Sequence, residues 1–261
     1  MTISYADRGS GDAVVLLHGQ PGTAADWALV AERLSPEVRA IIPDRPGYGK
    51  TGGNPAGIAE NAHAVISLLD ALDIETATIA GHSWAGGVAL AVALRHPERV
   101  RSIILAASIG PGALHRVDKL LGVRRLGEIA AYGAMKGMGR ALAFERGKRF
   151  FSHRMGEEGP GLLAEALRGK AWRSFVHEQR AMLEELPEIG SKLESIHTPA
   201  LVVIGDRDKI VSASVGTALA ERLPISELVV VPDAGHGLPF EAPAAMALIV
   251  ERGIKAPGLA V

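Results

Sequence analysis

The sequence of 261 residues contains no cysteine. Disulfides, thiolate metal sites and a cysteine nucleophile are therefore excluded. Charge of one sign is not in excess either, because 28 Lys and Arg balance 29 Asp and Glu to a formal net charge of -1. We therefore expect no overall attraction for nucleic acid or for an anionic membrane.

Long apolar runs are also missing. No segment approaches the ~18 consecutive apolar residues that a membrane-spanning helix needs, so we expect no stable membrane insertion. The opening segment MTISYADR lacks the apolar region of a secretory signal peptide. From these features we expect a cytoplasmic protein, either one large domain or a domain with an insertion.

Short apolar strands alternate with longer helical patterns along the chain. Strands are predicted at 3–5, 13–17, 40–42, 76–80, 100–106, 200–204 and 228–231. Their continuous apolar character is typical of a parallel sheet covered by helices on both faces. Asn54 and Pro55 predict the cap and first position of a helix that ends near residue 72. The predicted fold is α/β, with a doubly wound, mostly parallel sheet.

Residues 110–196 have helical patterning without a convincing strand. Six of the eleven aromatic residues lie there: Tyr132, Phe144, Phe150, Phe151, Trp172 and Phe175. We interpret this segment as a helical cap inserted over the carboxyl edge of the sheet, with residues 1–109 and 197–261 forming the core. The alternative is a second small domain that uses the aromatics for its own packing.

The first half of this predicted cap is basic. Between residues 111 and 155, ten Lys and Arg stand against three acidic residues, a local charge of +7. The charge is consistent with steering of an anionic substrate, with attraction to a membrane surface, or with a solvated face of cap helices.

Ser83 lies between a predicted strand and a predicted helix, in the segment Gly81-His82-Ser83-Trp84-Ala85. A sharp strand-to-helix turn of this kind exposes a nucleophilic serine and needs small residues on either side, which Gly81 and Ala85 supply. The structural alternative is a serine that simply caps the helix.

His18 and Gly19 begin the turn HGQPG, which follows the first strong strand. A tight turn there points backbone N–H groups toward a developing oxyanion, and the amides of Gln20 and Trp84 form the natural pair of donors. Taken alone, the turn fits an ordinary strand ending better than a binding site.

Asp208 and His236 lie in loops that follow two later strands, at the sheet edge where Ser83 also lies. Histidine in that position can take the serine proton, and an aspartate can fix its tautomer. His18, His82, His236 and Asp206 lack metal-site spacing, so we expect no metal. Glycine clusters lack the spacing of a dinucleotide fingerprint, so we expect no cofactor.

Five segments together resemble the α/β-hydrolase family: VLLHGQPG, DRPGYG, AGHSWAGG, VVIGDRDKIV and DAGHGLPFEAP. The resemblance implies that Ser83 is the nucleophile, His236 the base and Asp208 the acid, with Asp206 as the rival acid. It also implies Gln20 and Trp84 as oxyanion donors, supported by His18, Gly19, Gly81 and His82. A serine nucleophile argues against the aspartate-dependent haloalkane dehalogenases and epoxide hydrolases of this fold.

The resemblance implies a serine hydrolase that cleaves a small or medium carboxylic ester, with an apolar or mildly anionic substrate. Carbon–carbon bond hydrolysis, lactone opening and cofactor-free perhydrolysis are alternatives on the same triad. A non-catalytic ligand receptor is the alternative of another class. The sequence does not define the oligomeric state.

Overall fold

The computed structural model describes residues 2–114 and 116–255, without the side chains of residues 116, 117, 153 and 154. Two cations of the basic segment, Arg116 and Arg154, therefore have side chains outside the described residues. The last six residues of the predicted core segment, 256–261, also lie outside them.

Seven strands form one sheet. They are β1 (Tyr5–Arg8), β2 (Asp12–Leu17), β3 (Val38–Pro43), β4 (Ala77–His82), β5 (Val100–Ala106), β6 (Ala200–Gly205) and β7 (Ser226–Val231). Their order is β1-β3-β2-β4-β5-β6-β7, and every pair is parallel except the antiparallel pair β1 and β3. The predicted doubly wound, mostly parallel sheet is confirmed.

Helices cover both faces of the sheet. They are α1 (Ala28–Ala31), α2 (Ile58–Ala71), α3 (Trp84–Arg95), α4 (Arg116–Gly122), α5 (Leu126–Leu142), α6 (Glu145–Met155), α7 (Gly159–Ala166), α8 (Ala171–Ser191), α9 (Ala213–Arg222), α10 (Leu238–Glu241) and α11 (Pro243–Lys255). The described residues between β5 and β6 form helices α4 to α8 and no strand.

The core has two layers because the sheet is buried on both sides. Side chains alternate along β2, so that Val15 and Leu17 pack in the layer with α2 and α3. Val14 and Leu16 pack in the opposite layer with Trp27 and the helix α11. This two-sided burial explains why the central strands are continuously apolar in sequence.

Two sequence predictions need correction. The strand predicted at 3–5 spans Tyr5–Arg8, because Tyr5 pairs with Pro43 and Arg8 pairs with Ala40 on an exposed antiparallel edge that hydrophobic patterning does not mark. The helix predicted to begin at Asn54 and Pro55 begins at Ile58. Glu60 of its first turn accepts from the Gly57 N–H at 2.9 Å, and the first N–H groups of the helix bond to a carboxylate far away in sequence.

That carboxylate belongs to Glu185 of α8. Its two oxygens accept hydrogen bonds from the backbone N–H groups of Ile58 and Ala59, at 3.0 and 2.7 Å. The first turn of a helix has unpaired N–H groups and a positive dipole end, so a carboxylate there stabilises the helix. Glu185 thus fastens α8 to the start of α2.

Candidate active site

The turn from β4 to α3 places Ser83 in an unusual backbone conformation, with φ 54° and ψ -119°. Hydrogen bonds from β5 and the residues after it hold this conformation. The Ser83 N–H donates to the Ala106 carbonyl at 2.8 Å, and the Ser83 carbonyl accepts from the N–H of Ile109 at 3.1 Å. A non-glycine residue with positive φ is costly, and such strain persists where the surroundings fix it.

Gly81 is required by the closeness of this turn. A Cβ at Gly81 would lie 2.3 Å from the Ala85 carbonyl oxygen, which is backbone and cannot yield without moving the turn. Gly86 is equally constrained, since its Cβ would lie 1.8 Å from the Ser108 Oγ. Sequence reasoning identified Gly81 but gave no role to Gly86.

Ser83, His236 and Asp208 form a continuous chain of hydrogen-bond distances. The His236 Nε2 lies 2.9 Å from the Ser83 Oγ, and its Nδ1 lies 2.9 Å from the Asp208 Oδ2. With Asp208 accepting from Nδ1–H, the neutral imidazole keeps its Nε2 lone pair directed at the serine hydroxyl. This is the arrangement in which a histidine can remove the serine proton.

The surroundings of Asp208 keep it ionised. Burial alone would raise the pKa of this carboxyl, but bonds from His236 and from the backbone N–H groups of Ile210 and Val211 outweigh it and lower the pKa below its ordinary value. Asp206 is exposed, and its backbone N–H bonds to Val231. Of the two aspartates, Asp208 is the one within hydrogen-bond distance of His236.

His82 lies beside His236, with the ring centres 5.2 Å apart. Its Nε2 is 2.8 Å from the His236 carbonyl oxygen, so this nitrogen carries the donated proton. Burial, assisted by the nearby His236, lowers the pKa of His82 to about 3 and leaves the ring neutral. The His82 Nδ1 has no hydrogen-bond partner among the described residues. A Cβ on Gly19 would lie 3.1 Å from it, which explains the need for a small residue at position 19.

The backbone amides of Gln20 and Trp84 have no acceptor among the described residues. Trp84 is the first residue of α3, where N–H groups lack an intrahelical partner. The Gly19 carbonyl accepts from the Arg45 Nη2 at 2.8 Å and lies 2.9 Å from the His18 Nδ1. Because C=O and N–H point in opposite directions across a trans peptide, this fixes the Gln20 N–H on the side away from Arg45.

Sequence reasoning assigned no role to the network around Arg45, which holds this loop. The Arg45 Nε donates to the His18 carbonyl at 2.9 Å, and the Arg45 N–H donates to the His18 Nε2 at 3.0 Å. Burial, followed by the charge of Arg45, lowers the pKa of His18 well below its ordinary value. A neutral His18 with its proton on Nδ1 satisfies both of its contacts.

The Arg45 guanidinium forms a fully buried ion pair with Glu178 of α8. The second Glu178 oxygen accepts from the Tyr48 hydroxyl at 2.7 Å, and the Glu178 carbonyl accepts from the Trp84 Nε1 at 3.1 Å. The guanidinium carbon lies 4.7 Å from the centre of the Trp84 ring. One residue of α8 is thereby connected both to the loop that carries the Gln20 amide and to Trp84 at the start of α3.

Glu241, whose role was also missed, fixes the loop around His236. Its carboxylate accepts from the N–H groups of Gly235 and Gly237, at 2.7 and 2.8 Å. The motif DAGHGLPFEAP contained this residue, but nothing in its spacing identifies a carboxylate that bonds back to the loop. Among the described residues, no cluster of His, Cys, Asp or Glu has the arrangement of a metal site.

Replacing Glu178 with Gln should destabilise the protein strongly. Removing one partner leaves the buried Arg45 charge uncompensated, and changes of this kind lower the free energy of unfolding by about 3–5 kcal/mol. Glu188→Gln is the matched control, because Glu188 pairs with Lys192 on the surface of the same helix. Urea unfolding measures both variants, and equal stability of the two would contradict a structural role for the buried pair.

Asp26 gives the protein a pH-dependent stability. Burial raises the pKa of its carboxyl to about 8, although a hydrogen bond with the Thr23 backbone opposes the shift. Between the ordinary pKa of 3.8 and about 8, the folded chain holds a proton that the unfolded chain has released. The free energy of unfolding therefore falls as the pH rises through this range.

Between pH 5 and pH 8, the free energy of unfolding measured with urea should fall less for Asp26→Asn than for the unmodified protein. Asparagine does not titrate, so the contribution of this site disappears. Parallel curves for the two proteins would show that Asp26 is ionised in the folded state.

The chain is 30% identical to the 2-hydroxymuconate semialdehyde hydrolase of Pseudomonas sp. (strain CF600), over 94% of this chain and 87% of that protein. It is similar to a thermophilic esterase from Thermogutta terrifontis, with 25% identity, a TM-score of 0.76 and coverage of 98% and 94% of the two chains.

A meta-cleavage product hydrolase, CumD, is 26% identical, with a TM-score of 0.72 and coverage of 95% of this chain and 93% of that one. The sequence model of the alpha/beta hydrolase family matches residues 14–247. That span contains all nine predicted site residues: His18, Gly19, Gln20, Gly81, His82, Ser83, Trp84, Asp208 and His236. The chain belongs to the alpha/beta hydrolase family.

Proposed function

We propose that this protein is a serine hydrolase that cleaves carboxylic esters through an acyl-enzyme on Ser83. The observation that carries the proposal is the continuous chain of 2.9 Å contacts from Ser83 through His236 to Asp208. Membership of a hydrolase family supports it.

In the first step, the Ser83 hydroxyl attacks the ester carbonyl carbon while the His236 Nε2 accepts its proton. Asp208 holds the imidazole in the required tautomer and stabilises the imidazolium that forms. The tetrahedral intermediate then collapses, the alcohol leaves with the proton from His236, and the acyl group remains on Ser83.

The negative oxygen of the intermediate is stabilised by the Gln20 and Trp84 amides. Both N–H groups lack another acceptor among the described residues, and Arg45 fixes the orientation of the peptide that carries the first. Donors that are in place before the reaction need no reorganisation as charge develops, and a single such donor contributes about 10²–10³ in rate.

Water completes the cycle. His236 removes a proton from a water molecule that attacks the acyl carbonyl, and the same two amides stabilise the second intermediate. Collapse returns the proton to Ser83 and releases the carboxylic acid. No cofactor takes part in this proposed sequence.

We also propose that residues 110–196 act as a cap and that 1–109 and 197–261 form the core. Helices α4 to α8 follow β5 in the chain. In the sheet, β5 is the neighbour of β4, whose end is followed by Ser83. Substrate selection is assigned to this segment, with apolar or mildly anionic small molecules as the preferred class.

Carbon–carbon bond hydrolysis is the second candidate. The relative at 30% identity is named as a 2-hydroxymuconate semialdehyde hydrolase, and a meta-cleavage product hydrolase is among the similar structures. Such a reaction would use the same serine, histidine and amides on an activated ketone. The two candidates differ in the substrate that the cap admits.

Hydrolysis of p-nitrophenyl esters of graded acyl length tests the proposal. The unmodified protein should turn over the shorter esters, and Ser83→Ala should lower kcat by about 10³-fold or more because the nucleophile is lost. A dienoate ring-cleavage product is assayed beside the esters by the loss of its visible absorbance. Turnover of that compound alone would favour the second candidate and contradict the first.

Two aspartate variants provide the control. Asp208→Asn should lower kcat by about 10⁴-fold, since the amide favours the wrong histidine tautomer. Asp206→Asn differs by the same chemical change two residues away, at an exposed position, and should retain near-normal activity. The reverse pattern would reassign the acid to Asp206.

A further inference from the structure

The large apolar side chains that face solvent are concentrated on helices α4 to α6. Eleven are exposed among the described residues, and seven of these lie between residues 120 and 150. They are Leu120, Val123, Leu126, Ile129, Tyr132, Phe144 and Phe150. Ile129 and Phe144 are each 70% exposed. We call these three helices and the turns between them, residues 116–155, the α4–α6 surface. Exposed apolar side chains grouped in this way mark an interaction site rather than ordinary scattered exposure.

Basic residues share the same surface. Eight exposed cations lie between residues 119 and 150: Lys119, Arg124, Arg125, Lys136, Arg140, Arg146, Lys148 and Arg149. The acidic residues of helices α4 to α6 are the buried Asp118, Glu128, which bonds to Arg180, and Glu145, which bonds to Lys148. The eight exposed cations therefore outnumber the three acidic residues.

A cavity of about 830 Å³ opens beside this surface, between α5, α7 and the start of α8. Its lining includes the cations Lys136, Arg140 and Arg168, together with the rings of Tyr132 and Trp172. The two rings make an edge-to-face contact with centroids 5.7 Å apart. Cations beside amphipathic aromatic rings form a suitable environment for an anionic headgroup at the boundary between water and hydrocarbon.

We infer that the α4–α6 surface docks on anionic lipid bilayers. The basic side chains would meet the lipid phosphates, and the apolar side chains would enter the region between headgroups and acyl chains. Exposed apolar residues alone would suit any hydrophobic partner, and exposed cations alone would suit any polyanion. The combination on adjacent helices matches a surface that is both anionic and apolar.

Two other occupants fit less well. A second copy bound about a two-fold axis would place this surface against itself and oppose its cations to one another. Nucleic acid would satisfy the cations but leave Leu126, Ile129 and Phe144 in water. The anionic bilayer satisfies both sets of side chains.

The docking is peripheral. None of the helices described here combines the length and apolar character that crossing a bilayer requires. Helices α4 to α6 contain 7, 17 and 11 residues, and their basic residues would remain at headgroup level.

The consequence for catalysis rests on the proposed function. If residues 110–196 form the cap, the docked surface belongs to the segment that selects the substrate, and apolar esters dissolved in the bilayer would reach it without passing through water. Lipid binding itself needs no intact triad, so it is measured separately from hydrolysis.

Vesicle flotation tests the inference with the full chain. Vesicles of phosphatidylcholine are compared with vesicles containing about 30% phosphatidylglycerol. The protein should float with the anionic vesicles and not with the neutral ones. The double variant Ile129→Ser/Phe144→Ser should bind at least tenfold more weakly, and Arg124→Gln/Arg125→Gln should do the same, since each basic residue near the surface contributes about fivefold.

Leu248→Ser and Arg8→Gln are the matched controls. One replaces an exposed apolar residue with Ser and the other an exposed Arg with Gln, both outside the α4–α6 surface. Both should bind like the unmodified protein, and circular dichroism verifies that every variant is folded. Absence of flotation with anionic vesicles would overturn the inference. So would binding that Ile129→Ser/Phe144→Ser leaves unchanged, or sedimentation showing that this variant dissociates a dimer. Loss of lipid binding by Ile129→Ser/Phe144→Ser, with its hydrolysis of dissolved esters unchanged, would support the inference.

Discussion

The strained turn at Ser83 is the constraint on which the rest of the site depends. A serine with φ 54° between β4 and α3 is held by backbone hydrogen bonds to Ala106, at the end of β5, and to Ile109 in the loop that follows. The same turn places its hydroxyl within 2.9 Å of His236 and puts the Trp84 amide at the free start of a helix. In the mechanism that we propose, the nucleophile and one oxyanion donor are therefore positioned by one local conformation.

The buried pair of Arg45 and Glu178 extends this positioning to the helical segment. Arg45 holds the carbonyls of His18 and Gly19, and Glu178 contributes the opposite charge from α8. Glu185, about two helical turns further along α8, bonds to the start of α2. Movement of α8 would therefore disturb the loop that carries the Gln20 amide, which ties substrate selection to the chemistry in the mechanism that we propose.

The buried strands and the loops that carry Ser83, Asp208 and His236 were predictable because each follows from a local pattern. Apolar runs mark buried strands, and strand ends of a parallel sheet share one edge. The contacts of Arg45 with Glu178, of Glu185 with Ile58 and of Glu241 with Gly235 were not predictable. The first two join residues 133 and 127 positions apart through the tertiary fold, and a charged residue that bonds to a distant group has no signature in its own neighbourhood. The third joins residues six positions apart, where the spacing of a carboxylate does not show that it bonds back to the backbone. The helix start predicted at Asn54 was wrong because Glu60, inside the first turn, and the distant Glu185 together hold the start at Ile58.

Covalent labelling with a fluorophosphonate, followed by peptide mapping, tests the central claim most directly. The account predicts one adduct per folded chain, on Ser83, with labelling slowed strongly in His236→Ala because the hydroxyl loses its base. A modified residue other than Ser83, or a folded chain that takes up no label, would contradict it.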